Sequence, residues 1–209
     1  VKRRYGSYPQ DKWDSNLALK RWFEKKMGKD IYHTLGLNNA ERERNFKSAY
    51  GEDFPYLEFR ENYRAEVARD TRENGTPVKK GLYELLEVLK EKQMKLAVAT
   101  SSSYENTVEL LKETKVYSYF QEIVTGNMVE HSKPAPDIYQ KACEKLGVLP
   151  EYALALEDSY NGIRSGYAAG MKVIMIPDLL TDSSCVDDLL FAKMESLAEV
   201  AEAFRKGML

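Results

Sequence analysis

The feature that most constrains the fold is a regular alternation of short apolar segments with amphipathic segments, which begins at Val78 of the 209-residue chain. The apolar segments are almost wholly aliphatic, as in LAVAT, LALE and VIMI, which is typical of strands covered on both faces of a parallel sheet. The alternation predicts an α/β fold with right-handed crossovers. The predicted strands are 95–100, 122–125, 153–156, 172–176 and 192–194. The predicted helices are 79–92, 104–114, 136–147, 160–169 and 196–206.

The part of the chain before residue 78 shows helical periodicity without strands. The predicted helices are 16–27, 39–50 and 56–73, with breaks at the turn Thr34–Asn38 and at the sequence Asn-Gly-Thr-Pro that ends at Pro77. We expect residues 16–77 to form a small all-helical domain. Residues 1–15, which have no useful periodicity, and residues 78–209 are expected to form the α/β core.

Composition excludes several classes of function. The formal net charge of −2 argues against general affinity for nucleic acid or for an anionic membrane surface. No apolar run approaches the roughly 20 residues that span a bilayer, and residues 1–16 are too polar for a signal peptide. Cys143 and Cys185 lack metal-ligand spacing and are expected to be free thiols. We therefore expect a cytoplasmic protein, acting as a monomer.

Polar residues follow the predicted strands, and the carboxyl ends of parallel strands lie along one edge of a sheet. Thr100, Ser101 and Ser102 follow the first strand, and hydroxyl groups at a helix start suit a phosphate, although serine and threonine are also ordinary N-caps. Lys133 precedes a helix that a proline begins, where a cation opposes the helix dipole and so favours an anion as its partner. The alternative is a surface lysine. His131 is interpreted as a loop residue.

The apolar segment 153–156 ends in two adjacent carboxylates, Glu157 and Asp158. They are well placed for a hard cation such as Mg²⁺, which takes oxygen ligands, but they could equally cap the following helix. Hydroxyls, a lysine and two carboxylates on one sheet edge together predict a site for a phosphate and Mg²⁺.

Several sequence motifs, in their order along the chain, are similar to the motifs of known proteins. They are LAVATSS at 96–102, SKPAPD at 132–137 and LEDSYNG at 156–162, followed by AAGM at 168–171. The chain resembles, over about residues 15–209, the haloacid dehalogenase superfamily of phosphoryl-transfer enzymes, in particular its β-phosphoglucomutase-like branch. Each motif alone is weak, but their order and spacing together are specific. The resemblance implies a Rossmann-like core with a helical cap domain.

The resemblance also implies roles for the candidate residues. Thr100 would bind the transferring phosphoryl group through its hydroxyl, with Ser101 contributing its backbone N–H and Lys133 neutralising phosphate charge. Asp158, with Glu157, would hold Mg²⁺. We therefore expect Lys133 and Thr100 to face one another across a shared anion site.

One departure from the family's pattern matters more for the predicted activity than all of the matching motifs. The family's first motif is an apolar strand ending in Asp-x-Asp, which supplies the nucleophile and the general acid/base, and the 209 residues contain no Asp-x-Asp. Counting back from Trp13 places these positions near Ser7 and Pro9, and proline cannot transfer a proton. Residues 1–12 are too basic for a buried central strand and are expected not to form one. Either the natural N-terminus differs or the chemistry has been lost; the sequence leaves both open.

The sequence predicts a Mg²⁺-dependent phosphatase of small phosphorylated metabolites such as sugar phosphates, which in intact relatives works through an aspartyl-phosphate. One alternative is a sugar-phosphate mutase, which needs a second phosphate site on the cap; the turn at Leu35 has no basic residue before Arg42, which favours the phosphatase. The other is an inactive phosphate-binding protein. We expect negligible phosphatase activity from the chain as written. Substrate choice is expected to depend on residues 16–77, with hinges near 14–16 and 76–80.

Overall fold

The structure is a computed structural model that describes residues 34–209, without the side chains of Asn62, Tyr63, Glu66, Val67 and Asp70. Its helices are α1 Asn39–Tyr50, α2 Tyr56–Asn74, α3 Leu82–Glu91, α4 Tyr104–Glu113, α5 Asp137–Leu146, α6 Tyr160–Ala168 and α7 Leu197–Arg205. Its strands are β1 Ala97–Thr100, β2 Glu122–Thr125, β3 Leu154–Glu157, β4 Lys172–Met175 and β5 Ala192–Lys193. These elements alternate as the sequence predicts, and all strand pairs are parallel, so the α/β fold is confirmed.

The described residues fall into two compact units. The first contains residues 34–35 and Glu41–Pro77, and the second contains Gly36–Ala40 and Val78–Leu209. The short segment 36–40 therefore groups with the α/β unit, although the sequence assigned it to the cap. The predicted domain boundaries stay a prediction, because the predicted helix 16–27, the hinge near 14–16 and the segment 1–15 lie outside the described residues.

The helical unit is organised around Phe46 of α1, which is almost completely buried. Its ring centroid lies 5.4 Å from that of Phe54, 5.8 Å from that of Tyr56 and 5.2 Å from that of Phe59. Aromatic pairs at such distances contribute about 0.5–1.5 kcal/mol each beyond the area they bury. Helix α2 is capped at its C-terminus by Gly75, whose φ of 82° few residues other than glycine adopt readily.

The core of the α/β unit lies between β4 and its neighbouring helices. Val173, Ile174 and Met175 of β4 are fully buried, and α3 packs against α7. The main hydrophobic cluster contains Leu85, Val88, Leu89, Ile174, Ile176, Leu197, Val200, Ala201 and Phe204. Both cysteines are free thiols, as expected, with Cys143 buried and Cys185 exposed. Among residues 34–209, no helix combines the length and apolarity needed to cross a membrane.

Helix α3 begins later than the sequence predicts. Residue 79 was the predicted start, whereas the helix begins at Leu82 because Gly81 adopts a left-handed conformation with φ 88°. A Cβ atom on Gly81 would lie 2.0 Å from the backbone nitrogen of Ala198, so only glycine allows this close approach to α7. Lys79 consequently lies in the connecting loop and not on the helix.

Within the described residues, the strands form two separate sheets. Strand β1 pairs with β2 in the register Ala97 to Glu122, and β3–β4–β5 form the other sheet. All four residues of β1 are partly exposed although they are small or apolar, unlike the buried residues of β4. The expectation that residues 1–12 do not form a central strand concerns residues outside the described part and stays a prediction.

Candidate active site at the strand ends

The loops that follow β1 and β3 each begin a helix with a serine cap. Ser103 accepts a hydrogen bond from the backbone N–H of Asn106 at 3.4 Å, and Ser159 accepts one from that of Gly162 at 3.1 Å. Thr100, at the end of β1, accepts a hydrogen bond at its Oγ1 from the backbone N–H of Ser102 at 3.1 Å. The caps of these two helices are therefore Ser103 and Ser159, while Thr100, one of the hydroxyl residues that the sequence singled out, bonds the backbone of the loop before α4.

Lys133 joins the ends of the two sheets. It is 5% exposed, and its Nζ donates to Oε1 of Glu157 at 2.5 Å and to the carbonyl oxygen of Ala99 at 3.2 Å. Ala99 precedes Thr100 in β1, so the ammonium lies beside the strand end that carries the predicted phosphate ligand. The shared anion site of Lys133 and Thr100 stays a prediction that this placement supports.

Glu157, the last residue of β3, is a buried acceptor. Its Oε1 also accepts from the Tyr139 hydroxyl at 2.6 Å, and its Oε2 accepts from the hydroxyl of Ser159 at 3.1 Å and the backbone N–H of Asp158 at 3.2 Å. These bonds favour a role in orienting Lys133 over the predicted metal ligation by Glu157, which stays untested.

The protonation states of this cluster follow from its surroundings. Burial acts to raise the pKa of Glu157, but the charge and hydrogen bond of Lys133 and the bond from Tyr139 outweigh it, so the pKa lies below its usual value. Burial, reinforced by the negative charge of Glu157, raises the pKa of Tyr139 well above its usual value. Glu157 is therefore ionised at neutral pH, and Tyr139 is a neutral donor.

Gly162 allows the Glu157 carboxylate to lie against the first turn of α6. A Cβ atom at this position would lie 2.0 Å from Cδ of Glu157. The requirement for glycine is steric, because the carboxylate fills the space that a side chain would take. A glycine near a helix start, where it weakens the helix, is the sequence signal for such a close approach.

Asp158 has a different environment from its neighbour. Its Oδ2 lies 3.3 Å from Nζ of Lys79, which also donates to Oδ2 of Asp178 at 2.7 Å. Burial raises the pKa of Asp158, Lys79 opposes this effect, and the charges of Glu157 and Asp178 add to it. Sequence reasoning missed Lys79 and Asp178, because no local pattern links residues so far apart.

These residues can be compared with what Mg²⁺ requires. Among residues 34–209, no group of three or more histidine, cysteine, aspartate or glutamate side chains is arranged to hold a metal. Asp158 and Asp178, however, already hold one cation between them, the Lys79 ammonium, and Mg²⁺ sites commonly use only one or two carboxylates beside substrate phosphates. The residues therefore fit a divalent cation at Asp158, whose role as a ligand stays a prediction.

The turn at Gly36 reaches this site. The Ser101 hydroxyl donates to the carbonyl oxygen of Gly36 at 2.6 Å. Gly36 has φ 80°, and a Cβ atom there would lie 2.7 Å from Oγ of Ser159. One glycine thus contacts the loops after β1 and β3. The glycine between two leucines in the turn was visible in the sequence, but its contacts with Ser101 and Ser159 could not be predicted from it.

His131 fixes the loop that carries Lys133. Its Nδ1 lies 2.9 Å from Oδ1 of Asp137, which also accepts from the backbone N–H of His131 at 3.0 Å. The hydrogen bond to Asp137 raises the pKa of His131 and lowers that of Asp137. The histidine therefore ties its loop to the first turn of α5.

A model of the haloacid dehalogenase-like hydrolases matches residues 15–176. The chain belongs to this family. It is 38% identical over 94 residues to the phosphorylated carbohydrates phosphatase of Thermotoga maritima, a match that covers 45% of this chain and 44% of the relative. The chain spans about half the length of the curated relatives it matches.

Solved structures of the same family share the fold. CbbY from Rhodobacter sphaeroides in complex with phosphate superposes with a TM-score of 0.69 at 27% identity, covering 83% of this chain and 79% of CbbY. The putative β-phosphoglucomutase from Thermotoga maritima gives a TM-score of 0.65 at 25% identity and covers 90% of this chain and 88% of its own. The family resemblance that the motifs indicated is confirmed.

Proposed function

We propose that these residues form the phosphate-binding and cation-binding part of a phosphatase site for small phosphorylated carbohydrates. The observation that carries the proposal is Lys133, a buried ammonium held between the strand end beside Thr100 and the carboxylate of Glu157. The relative named as a phosphorylated carbohydrates phosphatase and the CbbY structure with phosphate support the choice of ligand.

Each residue has a part that follows from its contacts. An ammonium has three donors, and Ala99 and Glu157 take two of those of Lys133 within the described chain, which leaves one to donate to a phosphate oxygen. The hydroxyl of Thr100 and the backbone N–H groups that begin α4 complete the anion site. Glu157 and Tyr139 hold the ammonium in place.

Mg²⁺ bound at Asp158 would neutralise the charge of the phosphoryl group, which is most of what phosphoryl transfer requires of a site. Asp158 would hold the cation, and Lys133 would bind the phosphate. The 209 residues contain no Asp-x-Asp to supply a nucleophile, and a serine needs an adjacent base to act as one. We therefore expect binding of phosphate esters with negligible turnover.

Binding of inorganic phosphate and of a hexose phosphate, measured by calorimetry at neutral pH with Mg²⁺, tests the proposal. Lys133→Met should weaken binding at least 10-fold, since a charge-assisted contact to phosphate is lost. Lys141→Met is the matched control, because Lys141 is partly exposed on α5 and pairs only with Glu144 among its described contacts. Equal affinity in wild type and K133M would refute the proposed site.

Turnover is a separate measurement. With p-nitrophenyl phosphate and Mg²⁺ we expect no rate above that of a K133M preparation. A Mg²⁺-dependent rate abolished by Asp158→Asn would show that the expectation of inactivity is wrong and that another residue supplies the nucleophile.

A further inference from the structure

Lys79, Asp158 and Asp178 come from separate segments and meet at one point of the α/β unit. Lys79 lies in the loop before α3, Asp158 follows β3 and Asp178 follows β4. The ammonium is within 3.3 Å of the first carboxylate and 2.7 Å of the second, and all three side chains are about one third to one half exposed. A cation therefore already occupies the carboxylate that the proposed function assigns to Mg²⁺.

We infer that Lys79 is a resident counter-cation of Asp158, which a divalent cation must displace, and that Asp178 retains Lys79 when this happens. The inference rests on the proposed function only in taking Asp158 as the cation ligand. It assigns Lys79 the role of a competitor and Asp178 that of a positioning residue that acts through Lys79.

The competition follows from charge. An ammonium and a divalent cation cannot both contact one carboxylate oxygen without strong mutual repulsion, because like charges at contact distance interact strongly where solvent screening is incomplete. Asp158 is only partly exposed, so water does not screen this repulsion fully. A divalent cation that takes Oδ2 of Asp158, the oxygen that Lys79 contacts, must therefore displace the ammonium from it.

The distances indicate where Lys79 goes. Its ammonium donates a hydrogen bond to Asp178 at 2.7 Å and lies farther, 3.3 Å, from Oδ2 of Asp158. The bond with Asp178 can persist when Asp158 is taken by the metal, so the displaced ammonium stays neutralised. Without Asp178, Lys79 would have Asp158 as its one carboxylate partner in the described chain and would compete more strongly.

The test uses Mn²⁺ alone, with free Mn²⁺ measured by electron paramagnetic resonance on the full chain at neutral pH and low salt. Lys79→Met should bind Mn²⁺ at least 5-fold more tightly than wild type. Asp178→Asn should bind at least 3-fold more weakly. In the double variant K79M/D178N, the loss of the Asp178 carboxylate should weaken binding by a smaller factor than it does in wild type, since only its direct charge effect on Asp158 remains once Lys79 is gone.

The matched control is Lys80→Met, which changes the net charge equally at the neighbouring exposed position and should leave the Mn²⁺ affinity within about 2-fold of wild type. Circular dichroism melting curves check that each variant is folded, and Lys79→Gln replaces K79M if the latter is not. Phosphate binding, measured on the same preparations, reports on the proposed function separately.

Several results would overturn the inference. One is a K79M affinity no higher than that of K80M, including the case in which no variant binds Mn²⁺. Another is an equal effect of D178N in both backgrounds, in which the substitution weakens Mn²⁺ binding by the same factor in K79M as in wild type. That result would make Asp178 a direct ligand. Tighter Mn²⁺ binding by K79M without phosphate binding by any variant would support the inference and overturn the proposed function.

Discussion

Nζ of Lys133 lies 2.5 Å from Oε1 of Glu157, and both side chains are more than nine-tenths buried. This ion pair connects a residue in the loop after β2 with the end of β3, while a second bond of the lysine holds the end of β1. The two sheets of the described chain are therefore joined at the candidate site by a charged group, and several consequences can be measured.

Replacing Lys133 should be costly for stability as well as for phosphate binding. Lys133→Met leaves the buried Glu157 carboxylate without its ion partner, and breaking such a pair typically costs about 3–5 kcal/mol. Urea unfolding monitored by circular dichroism measures the change. The double variant K133M/E157Q should recover part of the lost stability, because it removes the uncompensated charge. If the unfolding free energy of K133M lies within roughly 1 kcal/mol of the wild-type value, as expected for an exposed pair, the pair is solvated.

Tyr139→Phe should destabilise the protein by about 1.5–3 kcal/mol, the range for a hydrogen bond to a charged group. The phenylalanine keeps the ring, whose centroid lies 4.9 Å from Nζ of Lys133, so the variant removes mainly the hydroxyl bond to Glu157. Tyr152→Phe, at a tyrosine that is 80% exposed, is the control and should have no measurable effect. Equal unfolding free energies for the two variants would contradict the bond.

Gly162→Ala should destabilise the protein, although the same substitution in most helices is stabilising. Within a helix, replacing glycine by alanine normally stabilises by up to about 1 kcal/mol. Here the new methyl group would lie 2.0 Å from the Glu157 carboxyl carbon, so the carboxylate or α6 must move. We expect a loss of at least 2 kcal/mol, in the range of overpacked cores, together with weaker phosphate binding. A stabilised G162A protein would refute this arrangement of Glu157.

The pair His131 and Asp137 should make stability depend on pH. The pKa of His131 is raised in the folded protein, so its contribution is present below about 6.5, the unfolded value, and is lost as the pH rises through the folded pKa. The pKa of Asp137 is lowered, so its contribution is present above about 3.8 and is lost as the pH falls through the folded pKa.

The stabilisation should therefore be complete between these two values. We expect the difference in unfolding free energy between wild type and His131→Gln to be largest near pH 5 and to shrink at pH 8–9. Glu130, whose Oε1 lies 4.0 Å from Nε2 of His131, also raises the pKa of the histidine. The variant Glu130→Gln measures the contribution of Glu130 to the pH dependence separately. A difference independent of pH would exclude the ion pair.

The turn 34–38 should influence ligand preference. Gly36 is unsuitable for substitution because of its positive φ and its contact with Ser159. Asn38→Ala leaves Gly36 in place and should change the relative affinities for a panel of phosphate esters, measured by thermal shift, more than it changes the melting temperature of the free protein. If N38A mainly lowers that melting temperature, the turn is structural.

Some features of the site could be anticipated and others could not. The motifs singled out Lys133, Glu157 and Asp158, and the parallel order of the strands predicted that they share one edge. The partners of each carboxylate could not be assigned, because 31 lysines and arginines and 33 aspartates and glutamates offer many possible pairs. Tyr139 had a weak signal, since a buried tyrosine normally finds a hydrogen-bond partner.

The sequence by itself determined the order and type of the elements in the described chain, and strand β2 runs from Glu122 to Thr125 as predicted. Local periodicity decides this, because the spacing of apolar residues fixes which face of a helix or strand is buried. Only the tertiary structure decided that Glu157 is bound by Lys133, 24 positions away, and that Lys79 reaches Asp178 across 99 positions. Such contacts depend on how whole elements pack, and the start of α3 is an example. The close approach of Gly81 to α7 makes the helix begin at Leu82, so that Lys79 lies in the preceding loop and reaches the carboxylates.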